Sequence, residues 1–259
     1  MQVIALQVDI CWEDKQATYH RVEKLMQSAD LKPEALVVLP EMFATGFSMK
    51  VSRIEEGKER PTEHFMAKLA RDWGVFVCGG VVNRHSNQLG LNQSVTFNPK
   101  GEEIARYTKC HPFSFAKEDQ YYARGDGPIC YDWKGITVAP LICYDLRFPE
   151  LFRIMAKRGA QLYTVIANWP QRREMHWLNL LQARAIENQA YVIGVNRCGQ
   201  DPWLSYGGRS LIINPKGEII ADAGTHENSI TAGINLNELL AYRAEFPALE
   251  DIRTDFIIK

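Results

Sequence analysis

Short apolar runs rich in β-branched residues recur along this chain and alternate with segments of helical periodicity. A strand that is covered on both faces carries apolar residues at consecutive positions, so such runs are typical of strands in the interior of an α/β protein. We predict strands at Val3–Val8, Ala35–Leu39, Val75–Val82, Ile136–Ile142, Leu162–Ile166 and Tyr191–Val195. The alternation therefore restricts the chain to an α/β fold in which helices cover the sheets.

Four segments between these runs carry the signals of helix ends. Pro149 suits the first turn of a helix, where a missing N–H costs nothing, and Gly74 and Gly159 suit helix ends. The predicted helices extend from the N-cap Asp14 to about Ala29 and cover Thr62–Trp73, Pro149–Lys157 and about Arg173–Asn188.

Two predicted hairpins contain the same turn sequence, NPKGE, once in each half of the chain. The hairpins span Ser94–Thr108 and Ser210–Ala221, and Pro and Gly favour a turn at each site for local reasons. Because both hairpins take similar places in the order of strands and helices, we predict two similar halves. No linker or low-complexity segment separates these halves, so we expect residues 1–259 to form a single domain.

Composition and charge exclude several classes of protein. The chain has 259 residues, with 30 Lys and Arg against 31 Asp and Glu, so it lacks the positive excess of a nucleic-acid or anionic-membrane surface. No apolar run approaches the ~20 residues of a membrane span. The six cysteines show no CxxC pattern and follow no secretion signal, which favours reduced thiols in a cytoplasmic protein. The six histidines lack the HExxH and HxxxH spacings, so we expect no metal.

Three residues with chemically useful side chains follow apolar strands. They are Glu41, Lys109 and Cys143, and ligands of α/β proteins bind at the carboxyl ends of strands. Cys143 begins an abrupt change from an apolar strand to a helix start, which resembles the elbow that exposes a nucleophile. Lys109 would favour the Cys143 thiolate, whereas Glu41 would take the thiol proton during the reaction. His111 is a second candidate base, although its place before Pro112 favours a structural hydrogen bond.

Three segments together resemble the catalytic motifs of the nitrilase superfamily of carbon–nitrogen hydrolases. They are Pro40–Phe43 (PEMF), Lys109–His111 (KCH) and Ile142–Pro149 (ICYDLRFP). The resemblance extends over nearly the whole chain through Asn168–Pro170, His176–Trp177, Ala183–Asn188 and Val195–Arg197. The ANWP sequence of Ala167–Pro170 is similar to the bacterial YafV-like omega-amidase branch of this superfamily.

This resemblance implies a fold and a division of roles. The implied fold is a four-layer α-β-β-α sandwich with two mixed sheets and pseudo-two-fold internal symmetry. The implied reaction needs no metal or organic cofactor. Glu41 is implied as general base, Lys109 as charge stabiliser and Cys143 as nucleophile. Glu118 is implied as a second glutamate that orients the site, whereas its polar neighbours alone would place it on the surface. We expect the backbone N–H of Tyr144 to join Lys109 in binding the oxyanion.

The substrate implied by the resemblance is a small 2-oxo-dicarboxylic monoamide, such as 2-oxoglutaramate or 2-oxosuccinamate. Its terminal amide would be hydrolysed to an acid and ammonia through a thioester on the cysteine. The distal carboxylate of such a substrate needs a cation, and we expect Arg147 to supply it. An ion pair of Arg147 with Asp145 or Glu150 is the alternative. The positions of Phe43, Phe115 and Trp169 in or near the motifs indicate that they are pocket walls.

Other interpretations of the same residues stay open. The triad also serves N-carbamoyl amino acid hydrolases and nitrilases, which differ in pocket shape. A domain of this kind can also act as a non-enzymatic interaction module, although all the catalytic side chains are present. A redox-sensing thiol protein, with Cys110 as partner of Cys143, is a weaker alternative.

The resemblance also implies a homodimer. Members of the superfamily usually associate through helices around the catalytic cysteine, which indicates Pro149–Lys157 as an interface helix. The apolar residues 256–258 near the end of the sequence would favour association if they are exposed and would otherwise pack on the core.

Overall fold

Strands and α-helices alternate along most of the chain in the computed structural model, which describes residues 1–85, 89–253 and 255. In chain order they are β1 (Gln2–Gln7), α1 (Lys15–Ser28), β2 (Leu36–Val38), α2 (Val51–Ile54), α3 (Pro61–Trp73), β3 (Phe76–Arg84), β4 (Gly90–Phe97), β5 (Glu103–Thr108), β6 (Tyr131–Trp133), β7 (Ile136–Ile142), α4 (Pro149–Lys157), β8 (Leu162–Ala167), α5 (Glu174–Asn188), β9 (Tyr191–Asn196), β10 (Cys198–Gln200), β11 (Ser205–Gly207), β12 (Leu211–Ile213), β13 (Ile219–Asp222), β14 (Asn228–Gly233) and α6 (Leu236–Glu245). All the predicted strands and helices are present, with small shifts at their ends.

The described strands form two six-stranded mixed sheets with the same pattern of directions. The first sheet has the order β14-β1-β2-β3-β4-β5 and the second has the order β6-β7-β8-β9-β12-β13. In each sheet three neighbouring strands are parallel. One further strand lies on one side of them and two lie on the other, and each of these strands is antiparallel to its neighbour on the side of the parallel strands. The two halves of the chain therefore repeat one topology, and β10 and β11 form a separate hairpin.

The two NPKGE turns have the same structure. The side-chain Oδ1 of Asn98 accepts hydrogen bonds from the backbone N–H groups two and four residues later, at 2.9 and 3.0 Å. Oδ1 of Asn214 does the same at 3.0 and 3.0 Å. In both hairpins the register shifts at the end of the strand that enters the turn, at Phe97 and at Ile213. The repeated sequence therefore marks equivalent positions in the two sheets.

The alternation of side chains in β1 shows how the layers pack. Ile4 and Leu6 pack with the helices α1 and α3 on the outer face of the first sheet. Val3 and Ala5 face the second sheet and belong to the core that also contains α4 and α5. The resulting order of layers is helices, sheet, sheet, helices, which is the four-layer sandwich that the resemblance implies.

All six cysteines are free thiols. Cys78 and Cys198 are buried, and Cys11, Cys110, Cys130 and Cys143 are partly exposed. Within the described ranges, no three His, Cys, Asp or Glu side chains are grouped in a way that could hold a metal ion.

None of the helices in the described ranges combines the length and the apolar character that crossing a membrane requires. The apolar residues 256–258, which the sequence analysis considered as an association surface, lie outside the described residues.

Candidate active site

Glu41, Lys109 and Cys143 lie together at the carboxyl ends of strands from both sheets. Glu41 follows β2, Lys109 follows β5 and Cys143 follows β7 directly. The Lys109 ammonium lies 2.9 Å from Oε1 of Glu41, and both side chains are buried. The charge of Glu41 acts on the thiol of Cys143 and raises its pKa. The three residues singled out at strand ends therefore form one cluster between the two halves of the chain.

Glu118 is buried in the same cluster. The Lys109 ammonium donates to both oxygens of Glu118, at 3.1 and 2.9 Å, and the backbone N–H of Phe113 donates to Oε2 at 2.5 Å. The side chain of Glu118 has no solvent exposure. The surface position suggested by its polar neighbours is wrong, because the loop after β5 turns the Glu118 side chain inward.

Two asparagines that the sequence analysis did not assign to the site hold Glu41 from both sides. Nδ2 of Asn92 donates to Glu41 at 2.8 Å and to Glu118 at 3.0 Å. The backbone N–H of Asn168 donates to Oε2 of Glu41 at 2.8 Å, and its Nδ2 donates to the Glu41 carbonyl at 2.7 Å. The sequence of β4 carries no signal that singles out Asn92, because Gln93, Ser94 and Thr96 are also polar residues of this strand.

The charges in the cluster set the protonation of Glu41 and Lys109. Burial raises the pKa of Glu41, but the Lys109 charge and the hydrogen bonds of the cluster outweigh burial and bring the pKa below its usual value. Burial lowers the pKa of Lys109, but the charges of Glu118 and Glu41 raise it well above its usual value. The pKa of Glu118 is raised by burial and by the charge of Glu41. Glu41 is therefore an ionised base paired with a cationic lysine.

The Cys143 thiol stays protonated in the resting site. Its pKa lies well above the usual value because of burial and the charges of Glu41 and Glu118. Lys109 acts in the opposite direction, but its charge is shared with two carboxylates. Lys109 therefore favours the thiolate as expected, but burial and the two carboxylates outweigh its effect, and the arrangement favours proton transfer to Glu41 during attack.

The backbone at Cys143 forms a tight elbow. Cys143 has φ = 46°, a left-handed conformation that is unfavourable for a residue with a β-carbon. It begins the 3₁₀ turn Cys143–Arg147, and the buried Asp145 carboxylate accepts the Ile142 N–H at 3.1 Å. The N–H groups of a first helical turn have no acceptor within the helix. The Tyr144 N–H therefore suits the oxyanion role that we expected of it.

His111 contacts Asp145 and Phe148, and these contacts favour a structural role over that of a base. Its ring Nδ1 lies 3.0 Å from Oδ1 of Asp145, and its backbone N–H donates to the same oxygen at 2.9 Å. The ring stacks on Phe148 with centroids 3.7 Å apart. His111 therefore connects the loop that carries Lys109 to the elbow that carries Cys143.

A cavity of about 420 Å³ opens onto Cys143 and Lys109. Phe115 and Trp169, two of the three predicted walls, line it. The prediction for Phe43 is wrong: this ring is fully buried in the core on the helix side of the first sheet, against Tyr19. The left-handed Met42, with φ = 43°, redirects the chain immediately after Glu41.

Arg147 lines the cavity and packs on an aromatic wall. Its guanidinium lies 4.8 Å from the Trp169 ring centroid, and Nη2 lies 3.1 Å from Nδ1 of His176. Within the described part of the chain Arg147 forms no ion pair with Asp145 or Glu150, which was the structural alternative. Its position is compatible with contact to a ligand in the cavity.

Arg173 is a second cavity cation, which the sequence analysis did not identify. Its guanidinium lies over the rings of Phe113 and Phe115, at 5.4 and 5.3 Å. Burial and the neighbouring charges of Arg172 and Arg147 lower the pKa of Arg173. All three arginines line the cavity, which therefore carries a local excess of positive charge.

Comparison with known proteins identifies a family and relatives that match nearly the whole chain. The model of the family described as carbon-nitrogen hydrolase matches residues 2–244. The omega-amidase YafV of Escherichia coli K12 is 36% identical over 253 residues, which cover 97% of this chain and 96% of the relative. The 2-oxoglutaramate amidase of Bacillus subtilis is 32% identical over 254 residues, which cover 98% of each chain.

A solved structure has the same fold. XC1258 from Xanthomonas campestris is a CN-hydrolase superfamily protein whose crystal structure carries an arsenic adduct in the active site. It matches with a TM-score of 0.89 at 31% identity, over 98% of this chain and 97% of that one.

Proposed function

This chain belongs to the carbon-nitrogen hydrolase family and is an amidase, and we propose that it hydrolyses the terminal amide of small 2-oxo-dicarboxylic monoamides, such as 2-oxoglutaramate or 2-oxosuccinamate. One observation carries the proposal: the cavity that opens onto Cys143 is also lined by Arg147 and Arg173. Neither guanidinium is paired with a carboxylate among the described residues, so an anionic end of a substrate would find a partner there. The names of the two amidase relatives support the same substrate class.

Acylation begins with proton transfer to Glu41. Glu41 accepts the thiol proton of Cys143, and the sulfur attacks the amide carbon. The Lys109 ammonium and the Tyr144 N–H bind the tetrahedral oxyanion, and loss of one such donor typically raises the barrier by about 3 kcal/mol. Glu41 then gives its proton to the departing nitrogen, so that ammonia leaves and a thioester remains on Cys143.

Deacylation uses the same groups in the second half of the reaction. A water molecule gives a proton to Glu41 and adds its oxygen to the thioester carbon. The carbon–sulfur bond then breaks, Glu41 returns the proton to Cys143, and the carboxylic acid leaves. The net reaction consumes one water and releases one ammonia. Glu118 supports both halves because both of its carboxylate oxygens accept from the Lys109 ammonium and hold it beside Glu41.

The charge of the substrate is the feature that the cavity selects. A 2-oxo-dicarboxylic monoamide carries its carboxylate at the end opposite the reacting amide. We assign that carboxylate to Arg147 and Arg173, since a guanidinium binds a carboxylate through two parallel hydrogen bonds. Phe115 and Trp169 then form the walls beside the carbon chain.

Ammonia release from a panel of amides tests the proposal. The panel is 2-oxoglutaramate, 2-oxosuccinamate, glutamine, an N-carbamoyl amino acid and an aliphatic nitrile. We expect the two 2-oxo acids to have the highest kcat/KM and Cys143→Ala to abolish their turnover. Higher kcat/KM with the carbamoyl compound or the nitrile would replace the proposed substrate, and full turnover by Cys143→Ala would overturn the mechanism.

The thioester has its own test. We expect rapid acid quenching during turnover of 2-oxoglutaramate to leave the acyl mass on the peptide that contains Cys143. The Cys143→Ser variant is the control, and it should show no such thioester. An unmodified Cys143 peptide in a quench that captures turnover would exclude this intermediate.

We also propose a homodimer. Met175 and Ile186 on α5 are 63% and 53% exposed, and Ile219 and Ile220 on β13 are each 41% exposed. Ile186 lies against Gly217 in the turn before β13, so exposed apolar residues of α5 and β13 are neighbours. Sedimentation velocity should give a dimer, which Ile186→Glu dissociates and Leu240→Glu on α6 leaves intact. A monomeric wild-type protein would contradict the proposal.

We propose the cytoplasm as the location of the protein. All six cysteines are free, and a reducing compartment such as the cytoplasm keeps cysteines in the thiol form. Alkylation during cell lysis should modify accessible cysteines without prior reduction, whereas a need for reduction would contradict this location.

A further inference from the structure

Asn92 contacts every charged member of the catalytic cluster. It lies on β4 with 1% exposure, and its Nδ2 donates to Oε1 of Glu41 at 2.8 Å and to Oε1 of Glu118 at 3.0 Å. Its backbone carbonyl accepts the N–H of Lys109 at 2.9 Å. Asn92 is not part of the cavity wall, so it acts on the reaction only through these neighbours.

The partners of Asn92 fix the direction of its amide. Both neighbours of Nδ2 are carboxylate oxygens, which accept hydrogen bonds, so the nitrogen must face them. The opposite atom, Oδ1, is buried and has no hydrogen-bond partner within the described residues. An unpaired buried acceptor is unfavourable. The two N–H groups of the amide are therefore the part of Asn92 that the cluster uses, and its oxygen makes no hydrogen bond there.

The two N–H groups of Asn92 lie between the negatively charged carboxylates of Glu41 and Glu118. Glu41 and Glu118 share the Lys109 ammonium, and a neutral donor that bonds both carboxylates reduces their mutual repulsion. The hydrogen bond from Asn92 contributes to the lowered pKa of Glu41. The other titratable groups that face Glu41 are Lys109, Glu118, Cys143, Tyr122 and Tyr206. The pKa values of both tyrosines are raised, mainly by burial, so these two remain neutral.

We propose that Asn92 is a positioning residue that holds Glu41 and Glu118 on the Lys109 ammonium and keeps Glu41 in the ionised form that accepts the Cys143 proton. The inference rests on the proposed role of Glu41 as base. Asparagine is suited to this position because one nitrogen reaches both carboxylates. A serine hydroxyl has one hydrogen to donate, and an aspartate would add a third buried carboxylate.

The pH profile of kcat/KM tests this role, since kcat/KM reports the ionisation of groups in the free enzyme. Asn92→Ala removes both hydrogen bonds, so the pKa of Glu41 rises and the acidic limb moves to higher pH. We expect a shift of about one pH unit, as for loss of a hydrogen bond to a charged carboxylate, and a loss in kcat/KM of about tenfold or more at pH 7. The shorter side chain of Asn92→Ser places its hydroxyl one bond short of the amide nitrogen, so its acidic limb should also move to higher pH.

Asn188 offers a matched control. It is fully buried near the end of α5, its Nδ2 donates to the Arg184 carbonyl at 3.0 Å, and its Oδ1 is likewise unpaired within the described residues. Asn188→Ala should lower the melting temperature and leave the acidic limb at its wild-type pH. A merely structural role of Asn92 would give the same result.

The outcomes separate this inference from the proposed function. An acidic limb that stays at its wild-type pH in Asn92→Ala, or in Asn92→Ser if the alanine variant does not fold, overturns the role of Asn92. That result leaves the proposed function intact, provided that wild type is active on the amide panel and Cys143→Ala is not. Failure of the amide panel would reject the substrate class, and the profile would then be measured on the best substrate of the panel.

Discussion

Gly80 on β3 lies directly against the backbone of Glu41. A β-carbon at Gly80 would lie 2.6 Å from the Glu41 Cα and 2.2 Å from the backbone nitrogen of Met42. The N–H of Gly80 donates to the Pro40 carbonyl at 3.1 Å. The loop that carries the base is therefore seated on a strand that has room only for glycine at this position.

We expect Gly80→Ala to displace Glu41 and to reduce kcat/KM by about 100-fold, as misplacement of a catalytic group by about 1 Å can do. Gly233→Ala on β14 is the control, because its β-carbon would meet no heavy atom of the described residues within 4 Å. Amide-hydrolysis kinetics and melting temperatures measure both effects. Equal activity of the two variants would show that the seat of Glu41 is not critical.

Glu41→Gln should make the Cys143 thiol more reactive while it removes amidase activity. The charge of Glu41 raises the pKa of Cys143, so its removal lowers that pKa and increases the thiolate fraction at pH 8. We expect faster alkylation of Cys143 by iodoacetamide, measured by peptide mapping, and a loss in kcat/KM of about 100-fold or more. Glu150→Gln on the exposed start of α4 should change neither quantity. Slower alkylation in Glu41→Gln would mean that Glu41 already holds the proton of a resting thiolate.

Lys109→Met should destabilise the fold in a pH-dependent way. In wild type the folded-state pKa of Glu41 is lowered, so its ionisation adds stability above the unfolded pKa, and this stability is lost on acidification. Without Lys109, burial raises the folded-state pKa values of Glu41 and Glu118, and their ionisation opposes folding at neutral pH. Removing one partner of a buried pair costs about 3–5 kcal/mol.

Urea unfolding of Lys109→Met at pH 7.5 and 5.5 measures the effect. The stability deficit relative to wild type should be smaller at pH 5.5, where the buried glutamates take up protons more readily. Lys68→Met breaks an exposed pair with Asp72 and should cost less than about 1 kcal/mol at either pH. A Lys109→Met deficit that is equal at both pH values would contradict this account.

Arg147→Lys and Arg173→Lys should each weaken binding of a carboxylate substrate. Lysine keeps the charge but loses the planar pair of donors, so we expect KM for 2-oxoglutaramate to rise about tenfold and KM for propionamide to stay unchanged. Arg158→Lys is a control, because Arg158 binds the Pro128 carbonyl at 2.9 Å and does not line the cavity. Equal losses on both amides would argue against a carboxylate clamp.

The parallel strands at the centre of each sheet could be predicted from the sequence, because the apolar pattern that identifies them lies within each strand. A run such as Ala35–Leu39 is apolar at every position, and only a strand covered on both faces has that requirement. The NPKGE turns are local for the same reason, since Asn98 and Asn214 bond to their own turns. By contrast, β14 has largely exposed or half-exposed residues and carries no such pattern. Its pairing with β1 joins the two ends of the fold and depends on the whole structure.

The sequence by itself determined the α/β class, the repeated halves and the placement of Glu41, Lys109 and Cys143 at strand ends, because periodicity and strand ends are properties of neighbouring residues. Only the tertiary structure decided which polar side chains lose contact with water. It buried Glu118 and Asn92 beside Lys109, placed Phe43 in the core and brought Arg173 to the cavity. These outcomes depend on contacts between distant segments, which set the burial, the charge balance and so the proton positions of the site.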